Sequence, residues 1–522
     1  MTKSNAKLHW NAGGHEEELE VLAARGREEV GELFEYVCIA KRSAGPLPDT
    51  SSTGPSLDAL LASPCALTFH EHAGAALHAQ TTYGLLSSVE RMDAGPTATH
   101  AYYRITIVPR LALLGLGRAS RVFPGGASGE LRVTDLLRVI LPTYGLAEGT
   151  DFIVNIAASA LPAVPYALQL EESDLAFLDR WMRCHGVFYS FEHVDDPSGG
   201  RDRVVFNLRD PSAASIVSLA YEGQSDGLST THLEFVTELH RTVRRTPARV
   251  ARLDFEAAGP TGRVCVAETG DDAAPRFGRF GMVLLGAERP VAGNVATSMI
   301  TPASEAITSL RAARFGTERV EISARTPSLP VRAGSIVDVE GAYGVPGSER
   351  LFVTRSVVSF GCSPDAQLAE VIASAAHPDR RWARISAVPL STGFVPQLAA
   401  WPRVVGVVRG YVEDTSASTA TFPNLDGAGG YTVRLPMLAS ATQAIPNVRM
   451  AEPFSGANGA GMHFPLRRGA EVLVAFVGGD PDQPVIVGAV PNTSTPSPVH
   501  QSNHNKSILE LASGVRMVVT ES

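Results

Sequence analysis

The sequence predicts a mainly β fold with some α-helix, on three observations. Gly430–Asn492 strings short apolar runs between Gly and Asp-Pro turns, with almost no helix-forming stretch. Upstream, segments such as HAYYRITIVP at 100–109 alternate in the manner of half-buried strands. Helical periodicity with flanking caps is confined to the regions 134–141, 173–186 and 304–316. A chain of 522 residues is too long for one core, so several domains are expected.

In order, Leu8–Arg42 reads as an extended strand region ending in LFEYVCIAKRS, before a Pro/Ser/Gly-rich break at Ala44–Pro55. LDALLAS suggests a short helical turn, and ALTFHEH and ALHAQTTYGLLSSVERM suggest strands. Thr134 is expected to cap a helix over Asp135–Leu141 whose apolar face is Leu136, Leu137, Ile140 and Leu141, stopped by Pro142. A second helix has Ser173 as its cap, Asp174 at its positive end and Gly186 as its terminator. Leu175, Leu178, Trp181 and Met182 share its stripe, and the strand VFYSFEH follows. From about Leu233 strands return in FVTELHRTVRR, RVARLDFEAAGP and RVEISARTPSLPVRAGSIVDVEG. Between them, SEAITSLRAARFG is expected to be a helix capped by Ser304 and ended by Gly316. Ser363–Pro402, rich in Pro and poor in periodicity, reads as a linker. Glu471–Val477 and Gln483–Val490 form a hairpin across Gly478-Gly479-Asp480-Pro481-Asp482, where Asp480 and Asp482 most simply serve the turn. Val472–Val477 is apolar on both faces; a barrel strand needs one, so the other is expected to meet a partner chain.

Composition narrows the function. The chain is 44% hydrophobic and 19% charged, with a formal charge of −9, which argues against an electrostatic surface for nucleic acid. Five cysteines, at 38, 65, 184, 265 and 362, are scattered without a CxxC pair and read as reduced structural thiols. The first twenty residues hold no apolar signal core, and no window approaches a membrane-spanning length, so any export is expected to need a machine.

Three motifs invite a chemical reading. Gly223-Gln224-Ser225-Asp226-Gly227 matches GxSxG, but the β-like LSTTHLEFVTEL follows where a nucleophile elbow opens a helix, so a turn is the better reading. His70-Glu71-His72, with His78 beyond, is not HExxH; on a strand His70 and His72 share one face and Glu71 the other. Gly456–Gly461 has the glycine density of a phosphate loop but neither Lys-Ser/Thr nor a following helix. The adjacent Glu171 and Glu172, at a helix start, fit dipole pairing or solvation rather than acid–base work. No catalytic, metal or cofactor-binding residue is therefore expected. A hydrolase or polysaccharide-binding module using Ser225 or His70 is the competing class.

GMHFPLRRGAEVLVAF followed by GGDPDQPVIVGAVPN resembles the OB segment of VgrG spike proteins of type VI secretion, related to the spikes of contractile phage tails and extracellular injection particles. QLEESDLAFLDRWMRCHGVFYSFEH, LDFEAAGP and LPVRAGSIVDV resemble the hub fold of the same family. The resemblance implies a hub of two β-barrels with helical insertions, an OB-fold barrel and the start of a triple-stranded β-helix needle. The implied divisions are residues 1–115, first hub barrel; 116–232, mixed insertion; 233–375, second hub barrel; 376–402, linker; 403–497, OB domain; and 498–522, needle start. It also implies a homotrimer on a hexameric inner-tube protein, baseplate contacts, a PAAR-type tip protein and effectors, with target membranes penetrated mechanically. The resemblance further implies a spike assembled in the cytoplasm and exported by the machine without a signal peptide. Ile508, Leu509, Leu511, Val515, Met517 and Val519 alternate like first needle strands; Val515, Met517 and Val519, with Phe476 or its neighbours at the OB level, are the expected trimer contacts. The needle is expected to be a stub or cut short, with no fused toxin.

Overall fold

Two six-stranded rings, fused edge to edge, form the body of the molecule in the computed structural model. The structure describes residues 6–521 except 13–14, 44–46, 48–55, 74–75, 93–99, 127–128, 197–199, 212–215, 223–233, 248, 255–262, 269–281, 286–296, 362–380, 414–420, 439, 441–442, 457–458 and 512. The first ring uses β1 (Ala6–Ala12), β2 (His15–Glu29), β3 (Glu35–Arg42), β4 (Pro64–Ala73), β5 (Ala76–Met92) and β6 (Ala101–Val108). Its order is β1-β4-β5-β6-β3-β2, returning to β1. The alternation read in HAYYRITIV is real: Ala101, Tyr103, Ile105 and Ile107 point into the core while their neighbours are half-buried. The turn at LDALLAS is the short helix α1 (Leu57–Leu60), with the Ser56 hydroxyl accepting from the Ala59 N–H.

An insertion follows, built on β7 (Ala119–Pro124), α2 (Val133–Ile140), β8 (Phe152–Val154), β9 (Tyr166–Glu172), α3 (Asp174–Cys184), β10 (Val187–Val194) and β11 (Arg201–Leu208). Helix α3 forms as its sequence demands. The Ser173 hydroxyl accepts from the Ala176 N–H, and Phe177, Leu178, Trp181 and Met182 are buried, with Leu175 packed at their margin. Gly186 closes it at φ 74°, where an added Cβ would lie 2.7 Å from Leu310, so both backbone and space require glycine. Helix α2 departs from expectation. Its cap is Arg132, whose N–H donates to the Asp135 carboxylate at 2.8 Å, so Thr134 is already helical and buried. Pro142 does not end the chain's winding, because a 3-10 turn runs on through Leu141–Tyr144.

The second ring takes β12 (Ile216–Tyr221) and β13 (Phe235–Val243); a small sheet of β14 (Arg249–Asp254), β15 (Arg263–Glu268) and β16 (Met282–Leu285) then precedes helix α4 (Thr297–Arg319). The ring is completed by β17 (Val320–Thr326), β18 (Ile336–Glu340), β19 (Ser348–Gly361) and β20 (Trp382–Pro389), in the order β19-β18-β12-β13-β17-β20 and back to β19. Two expectations change here. α4 starts before Ser304 and passes through Gly316, so neither residue bounds it; the helix feeds directly into β17, and no break is needed. The expected linker Ser363–Pro402 contains β20, which pairs with both β17 and β19; a Trp-headed alternating strand was hidden among prolines. β2 pairs with β19 over Arg27↔Val357 and its neighbours, welding the rings side by side.

The third body is a closed barrel of β21 (Val407–Glu413), β22 (Tyr431–Arg434), β23 (Ile445–Met450), β24 (Glu471–Phe476) and β25 (Pro484–Ala489). Five strands in a closed ring match the OB fold. β24 and β25 are the antiparallel pair expected from the Gly-Asp-Pro turn. The chain ends in a two-stranded ribbon of β26 (Lys506–Glu510) and β27 (Arg516–Thr520).

Cys38, Cys65 and Cys184 are buried free thiols, as read from their spacing. Desolvation pushes the Cys38 thiol up to about 12, so it stays protonated and inert. Across the join between insertion and first ring, the Tyr83 N–H donates to His193 Nδ1 at 3.0 Å. Desolvation, then the Arg332 charge, hold His193 well below the ordinary imidazole range. The unfolded chain therefore takes up a proton that the fold refuses, so stability is complete above about pH 6.5 and falls as pH drops below it. Thermal unfolding measured at pH 7 and pH 5 should show a midpoint lower by a few degrees at the acid end, about the range of one such group. His193→Gln, which keeps an acceptor without the titration, should flatten part of that drop; an identical pH slope would count against it.

Candidate functional site

The Asp480-Pro481-Asp482 turn is more than a turn. Both carboxylates are buried, at 6% and 7% exposure. Asp480 Oδ1 accepts from the Asp482 N–H at 3.0 Å, which is the local turn contact, and also from Trp401 Nε1 at 3.0 Å. Asp482 reaches into the insertion. Its Oδ1 accepts from the Leu168 N–H at 2.8 Å, and its carbonyl accepts from the Tyr166 hydroxyl at 3.0 Å. Sequence reading missed these contacts because the partners lie over 300 residues away; a buried-carboxylate role could have been suspected only from two acids flanking one proline.

Arg180 of α3 completes the junction. Its side chain is 1% exposed. Nε and Nη2 donate to both Glu172 oxygens at 2.9 and 2.6 Å, Nη2 also donates to the Leu168 carbonyl at 2.8 Å, and Nη1 faces Asp482 Oδ2 at a looser 3.5 Å. The guanidinium lies over the Trp401 ring, 4.2 Å from its centroid. So Glu172 serves neither the dipole nor solvent. It neutralises a buried cation, and the geometry is the bidentate fork that makes such pairs strong. Glu171, beside it, sits at φ 52°. One turn along, Asp174 takes contacts from Arg121, Gln169 and Tyr144. Val122, Tyr166 and Leu168, from β7 and β9, enter the OB barrel's own core beside Val433, Val472 and Ile486. The insertion and the barrel therefore share one apolar core and one buried ionic clamp, a rigid joint.

The terminal ribbon presents the opposite situation. Leu509 pairs with Met517, and Ser507 with Val519, while the Leu511 N–H donates to the Val515 carbonyl. Alternation puts Leu509, Leu511, Val515, Met517 and Val519 on one face. All are open to solvent in the single chain, Val515 at 60%, Met517 at 58% and Val519 at 51%. Phe476 behaves otherwise. It is 7% exposed inside its own barrel, because it falls in step with Val472 and Val474 on the inward face of β24. The outward apolar residues at that level are Val477 and, on β21, Val407.

The chemical motifs gather nothing. Glu71 is buried and accepts from the Arg381 N–H at 2.8 Å, on the face opposite His70 as alternation requires. Among the described residues no group of His, Cys, Asp and Glu could hold a metal ion. Ser225 and its GxSxG neighbours lie outside the described residues, as does part of Gly456–Gly461. Among the described residues, no helix is long and apolar enough to cross a membrane.

Twin fused barrels, a helix-bearing insertion and an OB barrel locked to it make up the architecture of a contractile-tail baseplate hub joined to its injector barrel. The chain belongs to the phage tail baseplate hub (GPD) family, whose model matches residues 27–362. The type VI secretion system/phage-baseplate injector OB domain matches residues 426–490. Among curated relatives, the type VI secretion system spike protein VgrG5 of Pseudomonas aeruginosa is 32% identical over 34% of this chain and 19% of its own length. VgrG1c of the same organism is 23% identical over 92% of this chain and 61% of its own. The chain thus spans less than two thirds of these relatives. Its fold is also that of the E. coli c3393 protein, a component of the type VI secretion system (TM-score 0.60, 18% identity, 92% of this chain and 99% of that one). It is shared again by the lidded Francisella PdpA-VgrG complex (TM-score 0.61, 10% identity, 99% of this chain and 75% of that one).

Proposed function

We propose that the chain is the non-enzymatic hub-and-spike subunit of a contractile injection machine, acting as a homotrimer of the VgrG kind. The observation that carries the reading is the open apolar face of the terminal ribbon. A lone two-stranded ribbon is marginal in water, and five exposed aliphatic side chains on one face call for cover that two further copies around an axis would supply. Two similar barrels per chain give six in a trimer, a match for a hexameric inner-tube protein beneath. The buried clamp at Arg180 suits a part that transmits thrust without bending. In this reading the hub contacts tube and baseplate, the ribbon begins a β-helical needle able to seat a PAAR-type tip, and effectors travel with the spike. The assembled spike leaves the cytoplasm through the machine and breaches the target membrane by force rather than chemistry. Type VI secretion is favoured over a phage tail or extracellular particle by the curated relatives. We divide the chain as expected from its sequence but place β12 and β20 with the second hub barrel. Light scattering on a size-exclusion column should give a mass near three times 55.2 kDa; a monomer at every concentration tested would overturn the trimer.

A further inference from the structure

The fused rings share an arginine-lined cleft of about 910 Å³. One row of register partners crosses it: Glu35, Arg27, Val357, Arg384 and Arg325, on β3, β2, β19, β20 and β17. Six arginines line the cleft against the single carboxylate of Glu35, in a chain whose formal charge is −9. Four of the six have a carboxylate within reach: Arg27 with Glu29 at 2.7 Å, Arg104 with Glu90 at 2.8 Å, Arg325 with Glu238 at 2.7 Å and Arg355 with Glu29 at 3.7 Å. Arg25 and Arg384 are exposed and have no ion pair among the described residues. Arg384 stands directly across from Arg325, and like charges placed so are destabilising unless an anion joins them.

We propose that this cleft docks an extended acidic segment of a partner protein, whose carboxylates pair with Arg25 and Arg384. Guanidinium forks match carboxylates in a bidentate way. Arg25 and Arg27 are two residues apart on one strand, about 6.8 Å, the spacing of same-face side chains in an extended peptide. Val37, Ile39 and Val357 lie in the same cleft and offer aliphatic contact between the charges. A nucleic-acid strand fits worse. It is held by stacking on open aromatic rings, whereas Trp382 is 7% exposed and lies under Arg325, 5.0 Å from its ring centroid.

The test titrates the full chain against a fluorescein-labelled peptide of alternating Glu and Val, by anisotropy in about 50 mM salt, where exposed charges are little screened. Saturable binding is expected, weakened about tenfold or more by Arg25→Glu with Arg384→Glu, and changed less than about twofold by Arg245→Glu, the same charge reversal on an exposed residue outside the cleft. Arg25→Gln with Arg384→Gln should fall between, and decides the matter if the Glu variant unfolds. No saturable binding to the native chain, equal loss in Arg245→Glu, or displacement of the peptide by a tighter-binding oligothymidylate would each overturn the proposal.

Discussion

Replacing Arg180 by Ala is expected to destabilise the joint between insertion and OB barrel by about 3–5 kcal/mol, the cost of leaving a buried ion pair half-made. The variant strands Glu172 without its bidentate partner and removes the guanidinium from over the Trp401 ring. It also frees the Leu168 carbonyl. The loss should be local at first. Hydrogen exchange at the Leu168 and Asp482 amides should quicken, and the OB barrel should become separable from the hub by limited proteolysis. Asp482→Asn is the milder companion. It keeps an acceptor for the Leu168 N–H and loses only a charge held at 3.5 Å from Arg180, so about 1–2 kcal/mol is expected. Equal effects from both variants would mean that the carboxylate, not the Arg180–Glu172 fork, carries the joint. A shift in the Arg180 variant of under about 1 kcal/mol would place the strength in the shared apolar core instead.

Met517→Asp is expected to dissociate the proposed trimer while leaving each chain folded. Met517 is 58% exposed on the single chain and sits mid-ribbon opposite Leu509, so the change touches no core within the chain. Around an axis it would lose about 1.5–3 kcal/mol of burial per chain and crowd three carboxylates without counter-charges. Sedimentation or light scattering across a dilution series should shift to the monomer, with circular dichroism unchanged. A matched change on the other ribbon face, Val518→Asp, should do less, since Val518 pairs with Ile508 away from the Leu509 face. Unaltered trimers in the Met517 variant would remove the ribbon face from the interface.

The two predictions sit at opposite ends of what could be read in advance. The ribbon's alternation is local, and so Val515, Met517 and Val519 are legible as one face in the sequence itself. The same holds for helix α3, where a serine cap, a stripe at helical spacing and a closing glycine all lie within fourteen residues. Phe476 itself turns into its own barrel, which leaves the OB-level contact to its outward neighbours. A strand apolar on both faces does not say which face the barrel will claim, and closure of the ring claimed the one bearing Phe476. β20 escaped notice because its partners, β17 and β19, supply the pattern that makes it a strand. The start of α2 moved because the Asp135 carboxylate accepts from the Arg132 N–H, a local contact that a preference for Ser or Thr at the cap does not anticipate.

The clamp lay wholly out of reach. Asp482 meets Leu168 across 314 residues and Arg180 across 302, and nothing within a turn motif records a partner at that distance. Short-range pattern settles which stretches become strand or helix, since side-chain period and turn chemistry act within a few residues. Which strands close each ring, which carboxylate neutralises which arginine, and which apolar face is left open depend on contacts between remote segments. Those are fixed only when the chain closes on itself, because burial and ion pairing are properties of the packed neighbourhood rather than of the residue.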